Sequence, residues 1–254
     1  MAVGLLVAVG CGASNAAKPC TCNSATSVAS ATGGASAAAA PSTCVAGTAP
    51  GVRVGLQRAT ATFSQSYTGQ FSVDKIIDGV TDDNLGWAVA AGDAYTVRAE
   101  TAAVQTLLDT PTYPNGTRLG FVLVHNFSGG VHALGRFRIS VTTSDRAKFA
   151  DGNNGLVTTG NVGEESIWTV LKPAAACASY NLPISLLDDG SIRVIAHNFI
   201  PMSYTVIAET PLSKITGVRI EALKDRSLPV QGPGMQPVNG NFVLSEFQVY
   251  AGAR

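Results

Sequence analysis

At 254 residues the chain is long enough to bury a sizeable core, as one large domain or two small ones. Lys+Arg and Asp+Glu each number 17, so the net charge is zero. With no basic stripe either, nucleic-acid binding through phosphate neutralisation is excluded. Only 13% of residues are charged, 46% are hydrophobic and 27 are glycine, a small, apolar, turn-rich mixture that favours short strands over long helices.

The charge is unevenly placed. Residues 1–50 hold one charged side chain, Lys18, and every other lies in residues 51–254, so the chain divides near Pro50 into a neutral leader and a folding body. Ala2 to Gly12 is apolar but falls short of the about 20 residues a membrane span requires. It has the character of an export-signal apolar region without a positive start. Ala8-Val9-Gly10-Cys11 loosely matches a bacterial lipobox, which would place a lipid anchor on Cys11. The alternative is a retained apolar segment packed on a partner. From Ser14 to Pro50 the chain is rich in Ala, Ser, Thr, Gly and Pro. Such a tract cannot offset its chain entropy alone and defaults to a linker, ordered only where disulfides, the body or neighbouring subunits clamp it. The last case implies self-association or a larger extracellular assembly.

Four of the five cysteines lie in the leader. Cys20-Thr21-Cys22 lacks the spacing and the second ligand pair of a zinc site. With Cys11 set aside, Cys20, Cys22, Cys44 and Cys177 can pair in three ways. A bridge from Cys177 to the leader would pin the tract to the body and suits an oxidising, extracellular compartment; free thiols are the alternative.

The body reads as strands. Arg136 to Val141 alternates polar and apolar, turning Phe137, Ile139 and Val141 inward, and Gly217 to Ala222 alternates likewise. Leu119 to Val124 is continuously apolar, as in a strand covered on both faces. Tyr204 to Ala208, Ile192 to Ala196 and Phe242 to Tyr250 add further strands. Turn chemistry separates them at Pro114-Asn115-Gly116, Asp151 to Gly155, Asp188-Asp189-Gly190 and Asn239-Gly240-Asn241. With no helix-period segment of four turns, no heptads and no repeat, the expected fold is an all-β sandwich.

Three segments carry a family resemblance. The first comprises Ala59 to Gln65, Val73 to Gly79 and Gly86-Trp87-Ala88-Val89. The second is His132 to Thr143. The third comprises Ile215 to Leu223, Ser227-Leu228-Pro229, Gly232-Pro233-Gly234 and Asn239 to Phe247. Together they resemble the galactose-binding-like (discoidin, coagulation-factor C-type) jelly-roll modules of large secreted proteins in planctomycete-type bacteria. The resemblance covers residues 54–252, and residues 1–50 match nothing. It implies a structural Ca²⁺ where the opening Ile-Asp-Gly loop meets the closing strand. Asp78 and Glu246 would supply carboxylates, and carbonyls near Lys75, Val80 and Ser245 would complete an oxygen shell. Without the metal, Asp78 caps its turn and Glu246 pairs with an arginine.

Sugar recognition needs an aromatic platform and loop donors. Trp87, Tyr95 and Trp168 are the candidate platforms, and Arg98, Asn126, His132 and Arg136 the candidate donors; the competing role for both tryptophans is core. His125 and His132, seven apart across Gly129-Gly130, lack a third metal ligand. No Gly-x-Ser-x-Gly elbow or phosphate loop occurs. Asp82-Asp83 and Asp188-Asp189 read as solvated turns, whereas glycosidase carboxyls must face each other across about 5–9 Å. Asn115 and Asn126 head glycosylation sequons. The expectation is a non-catalytic, secreted or cell-surface protein that binds a glycan or surface polysaccharide. The alternative is a structural subunit of an extracellular filament or envelope assembly whose leader neighbouring copies clamp.

Overall fold

The structure is a computed structural model that describes residues 44–65, 69–82, 84–89, 100–152, 160–195 and 201–254, all within the unit Ala40–Arg254. The expectations for Cys11, Cys20, Cys22, Asp83, Tyr95 and Arg98 lie outside the described residues. No helix among the described residues is long and apolar enough to cross a membrane.

The described residues form fourteen strands and a few short 3₁₀ turns: β1 (Val52–Val54), β2 (Leu56–Ala61), β3 (Trp87–Ala88), β4 (Thr101–Leu107), β5 (Thr117–His125), β6 (Arg136–Thr142), β7 (Thr169–Val170), β8 (Pro173–Ala178), β9 (Ile184–Leu186), β10 (Ile192–Val194), β11 (Met202–Thr210), β12 (Gly217–Ala222), β13 (Val243–Leu244) and β14 (Glu246–Ala253). One antiparallel sheet has the order β1-β14-β5-β11-β8. The second runs β2-β4-β12-β6-β10-β9, with β7 added beside β6. Successive long strands switch sheets, from β4 to β5 to β6 and from β11 to β12 to β14, as in a jelly roll. The all-β sandwich is the expected fold.

The period-2 pattern explains the core. Leu119, Phe121 and Leu123 of β5 and Tyr204 and Val206 of β11 face Phe137, Ile139 and Val141 of β6 and Val218 and Ile220 of β12 in one buried cluster. Phe137 stacks on Tyr204 at 5.8 Å, joining the two sheets. The continuous apolar run in β5 has a cause on its other face, where the chain just before β1 lies across the five-stranded sheet. Cys44 is disulfide-bonded to Cys177 of β8, and the Val45 carbonyl accepts from Thr205 Oγ1 of β11 at 2.9 Å. Ala49 and Pro50 pass so close to Gly120 of β5 that a Cβ there would lie 2.6 Å from Ala49 Cβ. The disulfide is therefore the Cys177-to-leader bridge, with Cys44 as the partner.

One expected strand differs. Phe242 to Tyr250 is divided at Ser245, where the chain leaves its pairing with β3 and joins β5. The Ser245 N–H donates to the Val124 carbonyl at 2.8 Å. Gly86 (φ +157°) permits the crossing, since a Cβ there would lie 2.3 Å from the Leu244 carbonyl oxygen.

Candidate functional site

At the end of the sandwich where β5 finishes and β6 begins, the loop 126–135 passes from one sheet to the other. Tyr204 Oη donates to the Leu134 carbonyl at 2.9 Å, and the Leu134 N–H donates to His125 Nε2 at 3.2 Å. Burial pushes the His125 imidazole down to about 3, so it stays neutral as a core acceptor. His132 is also mostly buried, with its ring edge-on to Phe127 at 4.8 Å. Burial lowers its pKa against an opposing backbone hydrogen bond at Gly130. Among the described residues no group of three or more His, Cys, Asp or Glu is placed to hold a metal ion.

Asn126 knits loops together. Its N–H donates to Ser245 Oγ at 3.1 Å, and its Nδ2 donates to the Thr81 carbonyl at 2.7 Å. Trp87 is fully buried, edge-to-face with Phe242 at 5.1 Å, and its indole N–H donates to the Phe63 carbonyl at 2.9 Å. A sugar platform must present a ring face to solvent, so Trp87 has the core role. Trp168 lies beneath the Arg219 guanidinium at 5.2 Å and is 8% exposed, so it too is packed.

The opening loop does meet the closing strand. The Gly79 N–H donates to Glu246 Oε2 at 3.3 Å, and Arg53 Nη2 donates to Oε1 at 2.9 Å. On Asp78, Oδ1 accepts from the Val80 N–H at 2.9 Å, and Oδ2 lies 3.4 Å from Lys75 Nζ. All four carboxylate oxygens therefore already have protein donors, two of them cationic. Each of these oxygens keeps a second lone pair, so a Ca²⁺ held by Asp78 and Glu246 would share them with Arg53 and Lys75 as competing cations.

Arg136 opens β6 and borders a solvent-open cleft of about 490 Å³ lined by Arg136, Lys224, Asp225, Arg226 and Gln231. Its guanidinium is held on several sides. Nε donates to Ser191 Oγ at 3.1 Å, Nη1 to the Lys224 carbonyl at 3.2 Å and Nη2 to Asp189 Oδ2 at 2.7 Å. Asp225 Oδ2 lies 3.6 Å from Nη1 and 4.0 Å from Arg193 Nη1. Burial works against ionisation of Asp189 and Asp225. Hydrogen bonds from Ser191 to Asp189 and from Ser227 to Asp225, with the nearby arginines, outweigh it and hold both below the usual carboxylate value. Asp189 is thus more than the solvated turn read from sequence. Lys224, Arg226 and Gln231 were missed; the available signal was the Lys224-Asp225-Arg226 triplet, separated from β12 by Leu223 alone.

No family model matches the chain, and no curated protein matches it. Among solved structures it is similar to a chain of the Streptococcus pneumoniae β-galactosidase BgaA (13% identity, TM-score 0.46, covering 79% of this chain and 99% of that one). It is also similar to the family 32 carbohydrate-binding module of C. perfringens NanJ, solved in complex with galactose (14% identity, TM-score 0.34, covering 78% and 93%). Both likenesses concern the fold alone.

Proposed function

We propose that this protein is a non-catalytic, extracellular carbohydrate-binding β-sandwich that takes its glycan in the cleft at Arg136. The observation that carries the reading is the anchored Arg136 guanidinium bordering an open cleft of about 490 Å³, flanked by Gln231 and the Lys224–Arg226 turn. A cleft of that size and polarity suits a small polar ligand bound by convergent donors. Arg136 is held before any ligand arrives, which lowers the ordering cost of binding. Its lining contains one carboxylate, Asp225, already engaged by Arg136, Arg193 and Ser227. Hydrolysis of a glycosidic bond ordinarily needs two facing carboxyls, which favours binding over catalysis. The Cys44–Cys177 disulfide favours an oxidising compartment, consistent with secretion.

The test is a glycan array probed with the full chain. Hits that disappear in Arg136→Ala, with Arg136→Lys retaining part of the signal and both variants shown folded by thermal melting, support the reading. An empty array from folded wild-type protein overturns it.

A further inference from the structure

We infer that the glycan taken by the Arg136 cleft is anionic, carrying carboxylate or sulfate groups. The inference rests on the glycan-binding reading and adds the charge of the ligand. Within the cleft, Arg136 is balanced by Asp189 at 2.7 Å, and the neighbouring Arg193 by Asp225 at 4.0 Å. Two further cations line the same cleft, Lys224 and Arg226, both exposed. Among the described residues neither side chain has an ion pair or hydrogen bond. The chain as a whole is neutral, yet this cleft carries an unbalanced positive pair.

The backbone beneath that pair is braced. Asp225 Oδ1 accepts from the Ser227 N–H at 2.8 Å and from Ser227 Oγ at 2.6 Å, closing the turn that carries Arg226. The Lys224 carbonyl is tied to Arg136 Nη1, which couples the turn to the start of β6. A neutral sugar would leave Lys224 and Arg226 merely hydrated. A uronate or sulfated sugar makes a charge-assisted hydrogen bond with each, and the local field attracts it before contact. Nucleic acid is a poorer fit: it calls for a run of phosphate contacts and aromatic stacking, and the described lining has two unbalanced cations and no aromatic ring.

The test titrates the full chain by calorimetry with alginate oligosaccharides (carboxylate), dextran sulfate (sulfate), neutral dextran and galactan, and a single-stranded oligonucleotide. The expected result is that an anionic glycan binds about tenfold or more tighter than the neutral ones. The affinity should fall as salt is raised, and Lys224→Gln/Arg226→Gln should lose about tenfold with an unchanged Tm. Alginate alone binding assigns a carboxylate and dextran sulfate alone a sulfate; either supports the inference. Neutral glycans binding as tightly as anionic ones, with no effect of the double substitution, overturn the anionic assignment and leave the glycan-binding reading standing. Binding of no glycan overturns both. An oligonucleotide that matches the anionic glycans overturns the assignment to a sugar.

Discussion

Glu246 and Arg53 form an ion pair at 2.9 Å that joins the first strand to the last, with the carboxylate 1% exposed and the guanidinium 53% exposed. The Gly79 N–H holds the other carboxylate oxygen, so one side chain ties the opening loop, β1 and β14 together. Burial of Glu246 costs more than these donors return and pushes its carboxyl up to about 7. An acid whose pKa is raised in the folded state gives its full stability contribution below the unfolded value and loses it as pH rises through the folded one. The window is therefore pH 4.5 to 7. Over it, the stability of wild type relative to Glu246→Gln should fall by about 1–3 kcal/mol. Thermal melts of both proteins across the window check this, and a constant difference, or one that grows with pH, would count against it.

Arg53 and Lys75 pair with Glu246 and Asp78 at the place where the resemblance implies a metal. Adding EDTA should leave the Tm of wild-type protein unchanged, and adding Ca²⁺ should not raise it. A Ca²⁺-dependent rise that Asp78→Ala abolishes would show that the ion displaces the two cations.

Cys44 and Cys177 are 133 residues apart, so their bond closes a long loop and restricts the unfolded chain. Cys44→Ser/Cys177→Ser should lose about 2–5 kcal/mol. Backbone amides of residues 45–49 should exchange faster, because the bond anchors the chain before β1 across the sheet. Denaturant melts and hydrogen exchange read the two effects, and unaltered melting would show that the contacts at Thr205 and Gly120 suffice.

Arg219 is buried on the outer face of the second sheet. It pairs with Glu165 at 2.6 Å and Glu221 at 3.2 Å while covering Trp168. Arg219→Ala removes packing as well as charge and leaves Glu221 less compensated, a loss of about 2 kcal/mol or more. Glu165 is 71% exposed, so Glu165→Ala should cost less than about 1 kcal/mol. Equal losses from the two substitutions would refute this ordering.

Trp87 contributes to stability through the core. Trp87→Ala should cost about 3–5 kcal/mol, while Trp87→Phe should stay folded and bind glycan like wild type. Loss of binding in a folded Trp87→Phe protein would return the ring to the ligand site.

What the sequence determined by itself was local. Alternation at Arg136–Val141 and Gly217–Ala222 and the turn residues between strands are properties of neighbouring positions, and strand geometry follows from them directly. The meeting of the opening loop with Glu246 was legible through the resemblance, and both tryptophans carried a core role as one of two readings. The tertiary structure decided the rest. The strand division at Ser245 depends on a change of partner from Trp87 to Val124. Arg136 gains its meaning from Ser191, Asp189 and Asp225, which lie 53 to 89 positions further along the chain. Only antiparallel pairing brings those groups to one end of the sandwich, because contacts between distant segments leave no periodic trace in the order of residues. The unbalanced charge of Lys224 and Arg226 is likewise a property of the folded surface, where the nearby carboxylates are already taken by other arginines.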